Sequence, residues 1–122
     1  MPRPSSPRAG WIAAVSLLSL AGCHSAMVDA TVQNRSGTPV TLLEVDYPSA
    51  SFGTQNLADG ADFHYRLKVL GSGPLKLTWT DLAQHEHTSP GPALDEGSEG
   101  LLTVTIIDAA DVRWQTTLKQ KR

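Results

Sequence analysis

From residue 28 onward, apolar and polar side chains alternate with a period of two, and no stretch there carries a sustained helical stripe. Phe63, Tyr65, Leu67 and Val69 alternate with His64, Arg66 and Lys68, the cleanest amphipathic strand in the chain. Val28, Ala30 and Val32 alternate with Asp29, Thr31 and Gln33 in the same way. Leu75, Leu77 and Trp79, then Leu102, Val104 and Ile106, then Val112, Trp114 and Leu118 repeat the pattern. A side chain that alternates faces residue by residue needs a sheet with one wet and one dry side. The chain is therefore expected to fold as an all-β protein.

The breaks between strands carry turn chemistry. Asn34-Arg35-Ser36-Gly37, Asp59-Gly60 and Gly71-Ser72-Gly73-Pro74 each separate two alternating runs. Within the second run, Leu43, Val45 and Tyr47 share one parity while Val40 sits on the other, which predicts a bulge near Thr41 or Leu42. Phe52 and Leu57 mark a short edge strand. Residues 81–100 read as a long polar connection, and Pro90 and Pro92 stop any helix in it. Six clear strands and one or two weaker ones, about 6–8 short strands in all, indicate an antiparallel β-sandwich. Their number and size resemble the immunoglobulin-like and fibronectin-like modules of cell surfaces, in architecture only. The expected core rests on Tyr47, Phe63, Tyr65, Trp79 and Trp114, with both of these tryptophans buried.

The first 22 residues follow different rules. Arg3 and Arg8 stand in an acid-free stretch, and residues 12–21 (IAAVSLLSLA) form an uncharged run of ten. Ten residues are too few to span about 30 Å of hydrocarbon as a helix, but they fit the apolar region of an export signal, about 7–15 residues long. The run ends in Leu20-Ala21-Gly22-Cys23. A plain secretory signal or a short anchor would share the charge and the apolar run, but would need no small-small-cysteine ending.

That tetrad resembles the lipobox of bacterial lipoproteins, with the charged, apolar and small-residue regions in the expected order. The resemblance covers residues 1–23. It implies a helical signal peptide over 1–22, a diacylglycerol on the thiol of Cys23, cleavage before that residue and acylation (palmitate, for example) of the new amino terminus. Residues 23–27 would then be a lipidated tether and 28–119 the sandwich domain. His24, rather than Asp, follows the cysteine; in this family that implies the outer membrane, facing the periplasm, where the host has two membranes.

Cysteine usage agrees with this reading. Cys23 is the one cysteine of the chain, so no intrachain disulfide can form. A single acyl chain binds a membrane only marginally, whereas a triacylated cysteine anchors without help from the protein. With Arg3 and Arg8 removed, eight of the ten basic residues remain against twelve acids, a net charge of −4. A domain of that sign has no excess of cations for phosphates, which argues against nucleic acid and against electrostatic attachment to an anionic membrane.

Candidate chemistry is sparse. His85 and His87 would share a face if they lay on a strand, and with His64 they are the candidate metal ligands for a copper or zinc site, which needs three or four donors. Tyr47 and Phe52 would form either a stacking platform in a binding loop or a cap on the end of the sandwich. Asp95, Glu96 and Glu99 superficially resemble a calcium loop, but Gly97 and Ser98 interrupt the alternating oxygen ligands such a loop requires. No Gly-x-Ser-x-Gly elbow and no phosphate-binding Gly-Lys-Ser/Thr motif occurs. Asn34-Arg35-Ser36 matches a glycosylation sequon, which carries little meaning in a bacterial cell.

The expected function is a non-catalytic structural or binding module of the cell envelope, held by lipid on Cys23, needing no cofactor and meeting an envelope protein partner. The alternative is a periplasmic metal-handling lipoprotein using His85 and His87. Four residues separate Cys23 from Val28, and they reach about 14 Å at most. The Gly37 turn should therefore lie far from the membrane, and Tyr47 and Pro48 close to it.

Overall fold

The structure, a computed structural model, describes residues 25–119. The expected signal segment, residues 1–22, and Cys23 lie outside the described residues. Eight strands fill the rest: β1 (Val28–Asn34), β2 (Val40–Tyr47), β3 (Ala50–Leu57), β4 (Asp62–Leu67), β5 (Gly73–Thr80), β6 (Glu86–Leu94), β7 (Glu99–Asp108) and β8 (Asp111–Lys119). They form two four-stranded sheets, in the orders β4-β1-β7-β8 and β3-β2-β5-β6. All pairings are antiparallel except β1 with β7, where Val28 to Asn34 run alongside Gly100 to Ile106 in the same direction. The chain is thus an all-β sandwich, as the period-two pattern requires.

The alternating apolar residues face each other between the sheets. Val28, Ala30 and Val32 of β1 and Leu102, Val104 and Ile106 of β7 supply one inner face. Leu43 and Val45 of β2 and Leu75, Leu77 and Trp79 of β5 supply the other. Each Val, Leu or Ile among them contributes about 1.5–3 kcal/mol by leaving water, and the four central strands carry most of them.

The expected bulge is present. Thr41 pairs with Thr80 and Glu44 with Thr78, so Leu42 and Leu43 together stand opposite Trp79. The extra residue is Leu42, whose φ of 50° is left-handed and whose side chain is 57% exposed. This shift carries Val40 and Leu43 to the same buried side despite their odd spacing.

Two expectations need correction. Residues 81–100 are not one long connection, because β6 runs through them as an edge strand. Pro90 and Pro92 hid it: proline forfeits a ladder hydrogen bond, which only an edge strand tolerates. The aromatic core is also smaller than expected. Trp79 is 2% exposed, but Trp114 is only half-buried, as are Tyr47 and Phe63, and Tyr65 is 42% exposed. The physical reason is position in the sheet for Phe63 and Tyr65 on β4 and Trp114 on β8. These are edge strands, whose inward side chains are covered from one side only.

Those edge aromatics close the open flanks instead. On one flank the Phe52 ring of β3 stacks on Tyr65 of β4, with centroids 4.6 Å apart and planes within 10°, and Phe63 lies 6.4 Å away. On the other flank Trp114 of β8 reaches across to β6 and donates its indole N–H to Ser89 Oγ at 3.3 Å. The ring lies so close to Gly91 that a Cβ there would fall 2.7 Å from it. Gly91 between two prolines is the opening that lets Trp114 cover this seam.

Candidate functional site

The strand directions sort the connections into two ends. The near end, where β1 begins, holds Met27, the Pro48–Ser49 turn and the connections around residues 68–72 and 95–98. The far end, where β1 finishes, holds the connections around residues 35–39, 58–61, 81–85 and 109–110. Function in a sandwich sits on such connections, because the strands are committed to the core.

At the far end, Asp81 organises the β5–β6 turn. Its Oδ1 accepts the backbone N–H groups of Ala83 (2.9 Å) and His85 (3.0 Å), and its Oδ2 accepts His87 Nε2–H at 2.7 Å. The hydrogen bond from His87, joined by those from the His85 and Ala83 amides, holds the Asp81 carboxyl below its ordinary value of 3.8. His87 pairs directly with Trp79 across the ladder, and the two rings stack with centroids 5.2 Å apart. His87 therefore faces inward, a half-buried ring in an apolar wall.

The candidate metal ligands are thus not gathered into one site. His85 precedes β6 in the turn, mostly exposed, with Nδ1 4.0 Å from Asp81 Oδ2. His64 stands on β4 in the other sheet, with its Nδ1 3.0 Å from Thr31 Oγ1. Since β4 lies by β3 and β6 by β8, His64 and His87 occupy opposite flanks. Among the described residues, no group of three or more His, Cys, Asp or Glu side chains is placed to hold a metal ion.

A second far-end network centres on Asn34, which is completely buried. Its amide donates to the carbonyls of Thr38 (2.9 Å) and Leu57 (3.0 Å), and its Oδ1 accepts the Ser36 N–H (3.1 Å) and the Ser36 hydroxyl (2.7 Å). All the polar capacity of the side chain is used inside the protein, so the sequon match does not present an acceptor for glycan. Around it, Asp59 accepts the Gly37 N–H at 2.8 Å, and Arg35 pairs with Asp62 at 2.8 Å.

The near end is joined differently. The Gly97 N–H donates to Val69 O (3.1 Å), the Gly100 N–H to Met27 O (3.2 Å), and the Glu96 N–H to Ser72 Oγ (2.9 Å). Ser98, the other buried polar residue, donates its hydroxyl to Asp95 O at 2.6 Å. Asp95 and Glu96 form an exposed turn between β6 and β7, and Glu99 opens β7. Tyr47 and Phe52 flank the Pro48–Ser49 turn as the last residue of β2 and a buried residue of β3, centroids 6.1 Å apart. Phe52 spends its ring on Tyr65, so the pair seals the near flank and leaves no open platform. Burial raises the Tyr47 hydroxyl above its ordinary value, with the neighbouring Tyr65 adding to it.

No protein-family model matches the chain, and no curated protein matches it. A solved structure is similar: the NMR structure of a protein from Eubacterium rectale superposes with a TM-score of 0.53 at 14% identity, covering 78% of this chain and 90% of that one. The likeness is one of fold. At that identity it carries no functional residues across.

Sequence reasoning missed the roles of the two residues that shape the far end: in it Asp81 is only the start of a polar connection, and Asn34 only a turn residue and a sequon match. Both carried a readable signal. Each is an Asp or Asn at a strand end followed by turn residues, the position from which a short polar side chain caps its own backbone.

Proposed function

We propose that this chain is a lipid-anchored, non-catalytic module of the cell envelope, tethered through Cys23 and presenting the far end of its sandwich to a protein partner. The observation that carries the reading is Leu20-Ala21-Gly22-Cys23 at the end of a charged and then apolar segment, in a chain with no other cysteine. The placement of the strands supports the geometry that follows from it. Val28 opens β1 at the near end, with four residues between it and Cys23, so a tether of at most about 14 Å keeps that end by the head groups. The Asn34 and Asp81 networks then face away from the bilayer, as rigid, polar, hydrogen-bonded turns suited to recognition by a soluble or membrane-bound envelope protein. An immunoglobulin-like role as a recognition module fits the same arrangement, and His24 fits residence in the outer membrane.

The test is Cys23→Ser in a bacterial host fed labelled palmitate. The natural chain should take the label and partition into detergent, and Cys23→Ser should do neither. Detergent partitioning of Cys23→Ser at the mature mass would overturn the proposal. Density-gradient fractionation of the natural chain checks the membrane, and an inner-membrane peak would count against the outer-membrane placement.

A further inference from the structure

The described residues expose five large apolar side chains, and two of them stand on connections at opposite ends: Leu70 (52% exposed) at the near end and Leu82 (64%) at the far end. Leu82 occupies the Asp81 turn. Leu70 lies between β4 and β5 and is held outward by its neighbour. Val69 is 1% exposed, and its carbonyl accepts the Gly97 N–H. In an extended segment, a buried residue forces the next one to the other side. Gly71, with a left-handed φ of 84°, then turns the chain, and Ser72 Oγ accepts the Glu96 N–H to tie the connection to residues 95–98. Leu70 is therefore displayed by a braced loop.

Its surroundings are mostly uncharged. Pro48 and Ser49 of the β2–β3 turn are exposed beside it, with Pro48 packed against Gly71 and Gly73, and Pro74 is exposed as well. The charges at this end are mixed in sign. Lys68 and Lys119 are exposed, as are Asp95 and Glu96.

The anchor decides what meets this surface. Chain between Cys23 and Val28 spans no more than about 14 Å, and the Gly100 N–H bond to Met27 O already fixes the last of it to β7. Lipidation at Cys23 thus keeps the near end, with Leu70, Pro48 and Pro74, within reach of the head groups without fixing which of its residues meet them. Leu82 lies farther from the tether by the length of the sandwich, about 20 Å for a seven-residue strand. A tethered apolar side chain at that level gains by leaving water, and a large positive patch is not needed because the lipid supplies the attachment. The mixed charge around Leu70, with Asp95 and Glu96 close by in the fold, favours a surface without net charge over an anionic one.

Building on the anchor reading above, we infer that the near end is a second, lipid-contacting surface, in which Leu70 enters the head-group boundary of a zwitterionic bilayer and fixes the tilt of the tethered domain. The anchor alone would leave the domain free to rotate about its tether. Leu70 makes one orientation preferred.

The experiment uses the lipidated full-length chain in vesicles of phosphatidylethanolamine and phosphatidylcholine that contain a lipid with a nitroxide near the head group. An environment-sensitive fluorophore is attached at Leu70→Cys or, in a matched sample, at Leu82→Cys; the lipid on Cys23 protects that thiol from the dye. Mass spectrometry first establishes whether Cys23 carries lipid. The expected result is quenching several-fold stronger at residue 70 than at residue 82, with a blue-shifted emission at 70 alone. Equal quenching on a chain proven to be lipidated overturns this inference and leaves the anchor standing. A chain without lipid on Cys23 overturns both.

Discussion

The two ends of the sandwich are closed by different chemistry. At the far end, polar side chains join the connections on top of backbone bonds such as Asn34 N–H to Ala61 O and Gly60 N–H to Asn34 O: Asn34 ties residues 34–38 to Leu57, Asp81 gathers two amides and an imidazole, and Arg35 and Asp59 bridge to the neighbouring turn. At the near end, backbone amides and carbonyls do most of it, with Ser72 and Ser98 as small auxiliaries. Networks of polar side chains specify one geometry and fail sharply when a member is removed. Backbone bonds between connections are less sensitive to any one substitution. The far end is consequently the part of the molecule with a defined polar surface, and the near end the part that tolerates contact with a less specific surface.

The largest test of that contrast is a pair of truncations. Asn34→Ala would leave the Leu57 carbonyl without its partner in a buried place and would free the part-buried donors of Ser36 and one bond to the Thr38 carbonyl. With about 1–3 kcal/mol for each unsatisfied group, the loss should be about 3–5 kcal/mol. Ser98→Ala removes one hydroxyl bonded to one carbonyl and should cost about 1 kcal/mol. Urea unfolding of both variants measures the difference. Equal losses would mean that the two ends are held in the same way. A domain of this size has about 5–15 kcal/mol in total, so Asn34→Ala alone would remove a large part of it.

Acid should separate the ends next. Asp81 has a folded pKa below its ordinary value, chiefly because His87 donates to it. A carboxyl depressed in the folded state contributes stability that is complete above the unfolded pKa and is lost as pH falls through the folded one. The contribution is therefore intact at neutral pH and fades below about 3.8. Protection of the Ala83 and His85 amides against hydrogen exchange, taken relative to their intrinsic rates at the same pH, should fall there before that of Gly97 and Gly100, whose acceptors are backbone carbonyls. Asp81→Asn should show the faster exchange already at neutral pH. If Gly97 opens first, the contrast between the ends is reversed.

How much of this was legible in the sequence depends on how local the cause was. The period-two alternation in β1, β4, β5 and β7 is a local property, and so is the parity break that placed the bulge near Thr41 or Leu42. What the alternation does not reveal is which strands become edges, because that depends on pairing between distant segments. Trp79 and Trp114 have the same apolar phase, yet one sits in an inner strand and is buried while the other sits on β8 and covers a flank. The same ignorance turned β6 into an apparent connection, since its prolines are compatible only with an edge. At the candidate site, the shared face of His85 and His87 assumed a strand through both, and the Asp81 turn takes His85 out of it. Asp81 draws its meaning from three partners, of which His87 is placed by the pairing of β6 with Trp79 on β5.

The smallest expected effects belong to the exposed leucines, and their smallness is what makes the comparison of the ends usable. Leu70 and Leu82 are both more than half exposed, so neither buries much area on folding, and a surface substitution away from special features changes stability by about 0.5 kcal/mol or less. Leu70→Ser and Leu82→Ser should therefore unfold within that margin of the unsubstituted chain in detergent-free solution, as a Cys23→Ser background without lipid allows. Equality here matters because it removes folding as an explanation for any later difference at a membrane. Leu82 stands on the stiffer turn, braced by Asp81, whereas Leu70 stands on a loop braced by backbone bonds and one serine. A loss of more than about 1 kcal/mol for Leu70→Ser, beyond that surface margin, would mean that Leu70 packs on its own domain. The near end would then be a closed surface like the far one, and the two ends would differ only in the chemistry of their hydrogen bonds.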